Sequence, residues 1–249
     1  MTTKSVLADT QQGVLTLTIN RPDRRNALDI ATYLALADQV SNVDHKTVRA
    51  IVLTGANNYF TAGNDLKDFQ TPRPAGDSPG LRFLRSMVDC DLPIIAAVEG
   101  SAIGIGVTML QHCDFVYAAD NANFKIPFVP LGLCPEGASS LLLAQIVGPR
   151  RATEWLLRGK PFTAHEAYEA GFLTGLSRPG ETLAHAQQVA TELSSLPPEA
   201  LQLSKRMLKH SQRPKIHETF DYELGLFSQR LKSEEAQAAF AGFFKAKAG

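Results

Sequence analysis

Cysteine is scarce in this chain. Three are spread over 249 residues, at Cys90, Cys113 and Cys134. An odd, widely spaced set matches neither a disulfide framework nor a zinc ligand spacing, and fits a reducing compartment. Net charge is lacking too: 25 basic residues balance 25 acidic ones. No one-signed field is available to hold nucleic acid or an anionic membrane, so neither is expected as a partner. No apolar run approaches the ~18 residues that span a bilayer. The amino-terminal MTTKSVLADTQQG has neither a signal-peptide core nor an arginine-rich transit pattern, and the terminal AKAG is no peroxisomal address. A cytoplasmic location is the expectation. Repeats and low-complexity tracts are absent. The histidines (His45, His112, His165, His185, His210 and His217) show no ligand spacing, and no metal is expected.

Against these absences stands an ordinary core-forming composition, 44% hydrophobic. Val14 to Ile19 alternates like a strand, and Asn20-Arg21-Pro22-Asp23 reads as a turn. A helical pattern starts at Asn26 and runs to Val40. Ala50 to Leu53, Ile94 to Val98 and Asp114 to Ala118 are short apolar runs, as in strands buried on both faces. Strands separated by helices predict βα units in a largely parallel sheet. From Arg151 the texture becomes helical, and Pro197-Pro198 interrupts it. The expected organisation is an α/β core over residues 1–195 and a helical region over 196–249.

Two segments rich in small residues follow buried strands: Phe60 to Asp65 (FTAGND) and Gly100 to Gly106 (GSAIGIG). Loops at strand ends commonly build ligand sites. The second segment runs into a helical pattern, whose first N–H groups have no acceptor and can face an anion. Alone, Gly-x-Gly before a helix serves more often for packing.

The pairing of Phe60-Thr61-Ala62-Gly63-Asn64-Asp65-Leu66 with Ala97-Val98-Glu99-Gly100-Ser101-Ala102-Ile103-Gly104 resembles the enoyl-CoA hydratase/isomerase (crotonase) superfamily. Asn20-Arg21-Pro22, Asn26-Ala27-Leu28, Cys113-Asp114 and Thr163-Ala164 with Glu166-Ala167 and Gly171 share the likeness. The resemblance implies a crotonase-like (ββα)n superhelix core with a C-terminal helical trimerisation region. It also implies an acyl-CoA thioester substrate, with coenzyme A part of that substrate and no separate cofactor, and a homotrimer or dimer of trimers. Carried over residue by residue, the oxyanion donors fall on the backbone N–H of Ala62 and Ile105. Ala62, Gly63, Asn64, Asp65 and Leu66 would contact CoA. Asp65 also fits a turn or helix cap. Arg24, with Arg25, stands where the family meets the nucleotide, though a solvated turn reads equally well. Lys245, near Phe240, Phe243 and Phe244, matches a terminal helix that can reach CoA. That aromatic stripe also suits a core or an interface.

Family hydratases use two carboxylates around a shared water, and the matching positions here hold Thr108 and Phe128. Instead, Pro135-Glu136-Gly137-Ala138-Ser139-Ser140 resembles the peroxisomal-type Δ3,Δ2-enoyl-CoA isomerase branch, where one glutamate serves as acid and base. Glu136 is the expected catalytic residue. Phe128 and Ile105 would form an apolar wall that excludes water. On local sequence alone Glu136 reads more readily as a solvated residue at a helix start. Asp114 is read as structural and Glu99 as solvent-facing. The alternatives are another crotonase-type reaction (weak hydration, thioester hydrolysis or decarboxylation) and a silent acyl-CoA binder. Residues 71–90 would shape the acyl pocket.

Overall fold

A computed structural model describes residues 4–70 and 78–248, with only the backbone given at 69, 70 and 243–248. The chain opens with a hairpin of β1 (Val6–Gln11) and β2 (Val14–Ile19). Its link, Gln12-Gly13, has φ of 49° and 78°, the left-handed pair that a two-residue hairpin needs. Helix α1 (Ile30–Ser41) starts four residues later than the periodicity predicts, because Asp29 is its cap and accepts from Thr32 N at 2.8 Å. Asn26 instead sits in a left-handed turn at φ 53°, its side chain donating to Ala56 O at 2.9 Å.

β3 (Ala50–Gly55), α2 (Pro79–Asp89), β4 (Ile94–Val98), β5 (Ser101–Ile103) and the single turn α3 (Ile105–Thr108) follow. The helix expected after the glycines is this one turn, continued by a tighter turn at Met109–His112. Next come β6 (Phe115–Ala119), β7 (Asn123–Lys125), α4 (Ser139–Val147), α5 (Pro149–Arg158), β8 (Phe162–Thr163), α6 (Ala164–Glu169) and β9 (Gly175–Ser177). Helices α7 (Thr182–Ser194), α8 (Pro198–Lys209), α9 (Arg213–Leu231) and α10 (Glu234–Ala248) complete the chain. None of the helices among the described residues is long and apolar enough to cross a membrane.

The main sheet runs β1-β2-β3-β4-β6-β9, parallel throughout except for the antiparallel β1 edge. A second sheet, β5-β7-β8, carries the glycine segment. Along β3 the pleat divides the core. Ile51 and Leu53 join α1 and α2 on one face, while Ala50 and Val52 meet Ala186 and Ala190 of α7 on the other. Glu99, expected at the surface, is buried. Its Oε1 accepts from Gly180 N at 2.9 Å and Thr182 N at 3.2 Å, capping α7.

The helices after residue 196 return against the rest of the chain. Lys205 Nζ is buried and reaches Leu92 O at 2.6 Å and Asp114 at 2.7 Å. Arg206 and Arg213 each bind Asp91 at 2.7 Å. These anchors sit just before β4 and β6, so the tail is fixed at the strand starts, the opposite end of β4 from the glycine segment.

Candidate active site

The two small-residue segments lie side by side. Thr61 N donates to Ser101 O at 3.0 Å, and Ile103 N returns to Thr61 O at 3.1 Å. Gly63, at φ 82°, lies so close to the neighbouring backbone that a Cβ would fall 2.4 Å from Ile103 O. Only glycine allows this approach. Just beyond the paired stretch, the N–H groups of Asn64 and Ile105 have no hydrogen-bond partner among the described residues. Ile105 opens α3, where the first amides have no acceptor within the helix.

Ala62 does not supply the donor expected of it. Its N–H is committed to Arg25 O at 2.9 Å. Arg25 and Asn26 are consecutive left-handed residues, φ 50° and 53°, and their carbonyls brace Ala62 N and Thr61 Oγ1 respectively. The available amide therefore lies two residues on, at Asn64. Tyr33 Oη donates to Asn64 Oδ1 at 2.7 Å and fixes that side chain.

Ile105 is buried, and its side chain points to α2: a Cβ on Gly80 would stand 3.6 Å from Ile105 Cδ1 and 3.5 Å from Tyr33 Cζ. Phe128 is buried against Gly104, with its Cε1 3.8 Å from where a Cβ on that glycine would stand. Its ring meets Phe227 of α9 edge-on at 6.3 Å. Phe128 thus lies against Gly104, while Ile105 reaches toward Gly80 of α2.

Glu136 is half-buried, and its Oε1 accepts from Thr108 Oγ1 at 2.8 Å. Thr108 is fully buried at the end of the turn that Ile105 begins. One turn thus carries a free amide at its start and a hydroxyl holding the carboxylate at its end. The loop beyond Glu136 is unusual: Gly137 and Ala138 are both left-handed, at φ 72° and 57°. A Cβ on Gly137 would be 2.9 Å from Thr108 Oγ1, so no other residue fits there. His112 Nε2 donates to Gly137 O at 2.9 Å. Burial pushes the pKa of His112 down to about 4, which keeps the ring neutral and Nε2 its donor nitrogen. Glu223, buried on α9, accepts from Ala138 N at 2.6 Å, Ser140 N at 3.0 Å and Ser140 Oγ at 2.6 Å. Burial raises its pKa, and those three bonds oppose the rise.

Sequence reasoning noted Thr108 only as a missing carboxylate and gave His112 and Glu223 no part. A signal for Thr108 was available in its one-turn spacing from Ile105. Glu223 carries no local signal, being one acidic residue in a polar helix. Asp65 is turned inward, 3.2 Å from Arg21, which matches the turn alternative. Leu66 packs against the core, and Arg24 is exposed in the turn Pro22–Arg24. Lys245 lies on α10, its side chain outside the described residues. So do the side chains of Phe243 and Phe244, and so do residues 71–77 of the expected acyl pocket.

Residues 9–248 match the family model for enoyl-CoA hydratase/isomerase. Enoyl-CoA delta isomerase 2 of Homo sapiens is 34% identical over 255 residues, covering 98% of this chain and 64% of that protein. The chain thus spans less than two thirds of that relative. The 2,3-dehydroadipyl-CoA hydratase of Escherichia coli (strain K12) is 31% identical over 243 residues, covering 96% of this chain and 95% of the hydratase. A crystal structure of an enoyl-CoA hydratase/isomerase from Pseudoalteromonas atlantica T6c has a TM-score of 0.93 at 40% identity, covering 98% of each chain.

Proposed function

The chain belongs to the enoyl-CoA hydratase/isomerase family, and from that premise we propose that it is a Δ3,Δ2-enoyl-CoA isomerase with Glu136 as its only acid and base. The observation that carries this reading is the Thr108–Glu136 hydrogen bond, which fastens one carboxylate to the turn whose first amide is free.

In the proposed reaction the Glu136 carboxylate takes a proton from carbon 2 of a 3-enoyl thioester. The electron pair moves into the C1–C2 bond, and negative charge collects on the thioester oxygen. The N–H groups of Asn64 and Ile105 receive that oxygen, each donor contributing about 3–4 kcal/mol when charge develops. Glu136 then returns the proton at carbon 4, leaving the double bond between carbons 2 and 3. No water enters, and Phe128 and Ile105 keep it out. Only a proton moves, so no redox group is needed. Coenzyme A arrives as part of the substrate, with Lys245 and the exposed Arg24 proposed for its phosphates, and Gly63 and Leu66 lining the approach.

Hydration would need a second carboxylate to activate a water. The two positions at issue hold Thr108 and Phe128, both buried, which supports isomerisation over hydration. Assembly as a homotrimer or dimer of trimers belongs to the same proposal. Exposed Leu203, Met207 and Leu208 on α8 support a covered face, and a sedimenting particle of three or six chain masses would agree.

The test compares two rates on the purified protein: conversion of 3-hexenoyl-CoA to the conjugated 2-enoyl product, and addition of water to 2-hexenoyl-CoA. Isomerisation is expected to exceed hydration by at least a hundredfold. Hydration as the faster reaction would overturn the proposal.

A further inference from the structure

We propose that Glu223 is a positioning residue for the acid/base: from α9 it sets the conformation of the loop that carries Glu136. This rests on the reading of Glu136 as the reacting carboxylate.

The buried stripe of α9 consists of Ile216, Phe220, Glu223 and Phe227. Three of these are apolar, as a helix face packed on a core should be. The fourth is a carboxylate only 4% exposed, an arrangement that costs free energy unless every bond is made. Among the described residues no lysine or arginine forms an ion pair with it. Its partners are two backbone amides and a hydroxyl, all within Ala138–Ser140.

A helix start is ordinarily capped by a local Ser, Thr, Asp or Asn side chain, with no burial of charge. At α4 the cap residue is Ala138, which has no side chain able to accept, and its backbone is left-handed at φ 57°. A left-handed alanine following a left-handed glycine persists only when its surroundings hold it there. Glu223 accepts the N–H of that alanine directly, and Glu136 lies two residues before it. A local cap would finish the helix equally well but would not fix the loop to another element.

The same face of α9 also reaches the rest of the site. Phe220 lies 5.4 Å from the ring of His112, whose Nε2 holds Gly137 O. Phe227 meets Phe128 edge-on at 6.3 Å. Residues 220, 223 and 227 fall on one helical stripe, so a single rigid element sets the spacing between the histidine, the acid/base loop and the apolar wall. Misplacement of a reacting group by about 1 Å can cost a hundredfold in rate.

The test measures kcat and KM for 3-hexenoyl-CoA with Glu223→Gln, alongside CoA-product affinity and amide hydrogen exchange. The glutamine has the same shape but only one accepting oxygen for three donors. The expected result is a roughly 10- to 100-fold fall in kcat, with KM and product affinity changed less than about threefold. Faster exchange at the Ala138 and Ser140 amides is expected with it. Wild-type kcat per folded molecule, or a loss carried by KM alone, would overturn the proposal and reduce Glu223 to a stabilising cap. Should the glutamine variant not fold, Glu223→Asp carries the same readout, since it keeps the charge and shortens the reach. A wild type without isomerase turnover removes the functional reading itself, and this proposal with it, before any variant is compared.

Discussion

Thr108 Oγ1 can give its proton to only one acceptor, and at 2.8 Å that acceptor is Glu136 Oε1. Thr108→Val keeps the shape and removes the donor. One charge-assisted hydrogen bond supports an expected fall in kcat of about tenfold, read by steady-state assay with the fold checked by circular dichroism. His112 gives a second prediction. In the unfolded chain it titrates near 6.5, and in the folded chain burial lowers that to about 4. The unfolded state therefore binds the proton first. Stability from this group is whole above pH 6.5, declines as pH falls and is lost by about pH 4, amounting to about 3 kcal/mol. Urea melts of wild type and His112→Gln should diverge by that amount across the window, with the variant less sensitive to pH. Parallel curves would contradict the assignment. The unpartnered amide illustrates what single residues hide. Whether Ala62 or Asn64 is free depends on a carbonyl at Arg25, brought near by two consecutive left-handed residues, and no local pattern reports that.

At the scale of elements, β2 was legible from its alternation, and the strands buried on both faces from uninterrupted apolar runs such as Ala50 to Leu53 and Ile94 to Val98. β1 escaped notice because only Val6 of its six residues is buried, as befits a sheet edge. β5, β7, β8 and β9, two or three residues each, are too short to show a period. Glu99 looked solvated beside a turn glycine, yet it caps α7 through amides 81 and 83 residues further on. Glu99→Ala should cost about 1–2 kcal/mol in denaturant unfolding while leaving turnover per folded molecule unchanged. The tail anchor predicts a larger effect. Lys205→Met leaves Asp114 and Leu92 O without their buried cation, an expected loss of about 3 kcal/mol or more by the same measurement. A loss below 1 kcal/mol would mean that the tail is held by its other contacts.

For the whole molecule, the parallel sheet delivers its strand ends to two glycine-bearing segments, and the terminal helices come back over the result. The α/β core and helical tail could be read from texture. The return of the tail could not, because Lys205, Arg213 and Glu223 look like ordinary charges on polar helices. That return brings the tail to the candidate site: α9 contributes the buried carboxylate and two of the aromatic rings around the loop that carries Glu136. The central claim is that one carboxylate, held opposite two backbone amides, carries out the whole proton transfer. Turnover of 3-hexenoyl-CoA by wild type and by Glu136→Gln, with CoA-product affinity measured on both, tests it most directly. The expected result is wild-type isomerisation that falls by about a thousandfold or more in the variant, with product affinity kept within about threefold. Undiminished isomerisation in Glu136→Gln would contradict it and move the base to another residue.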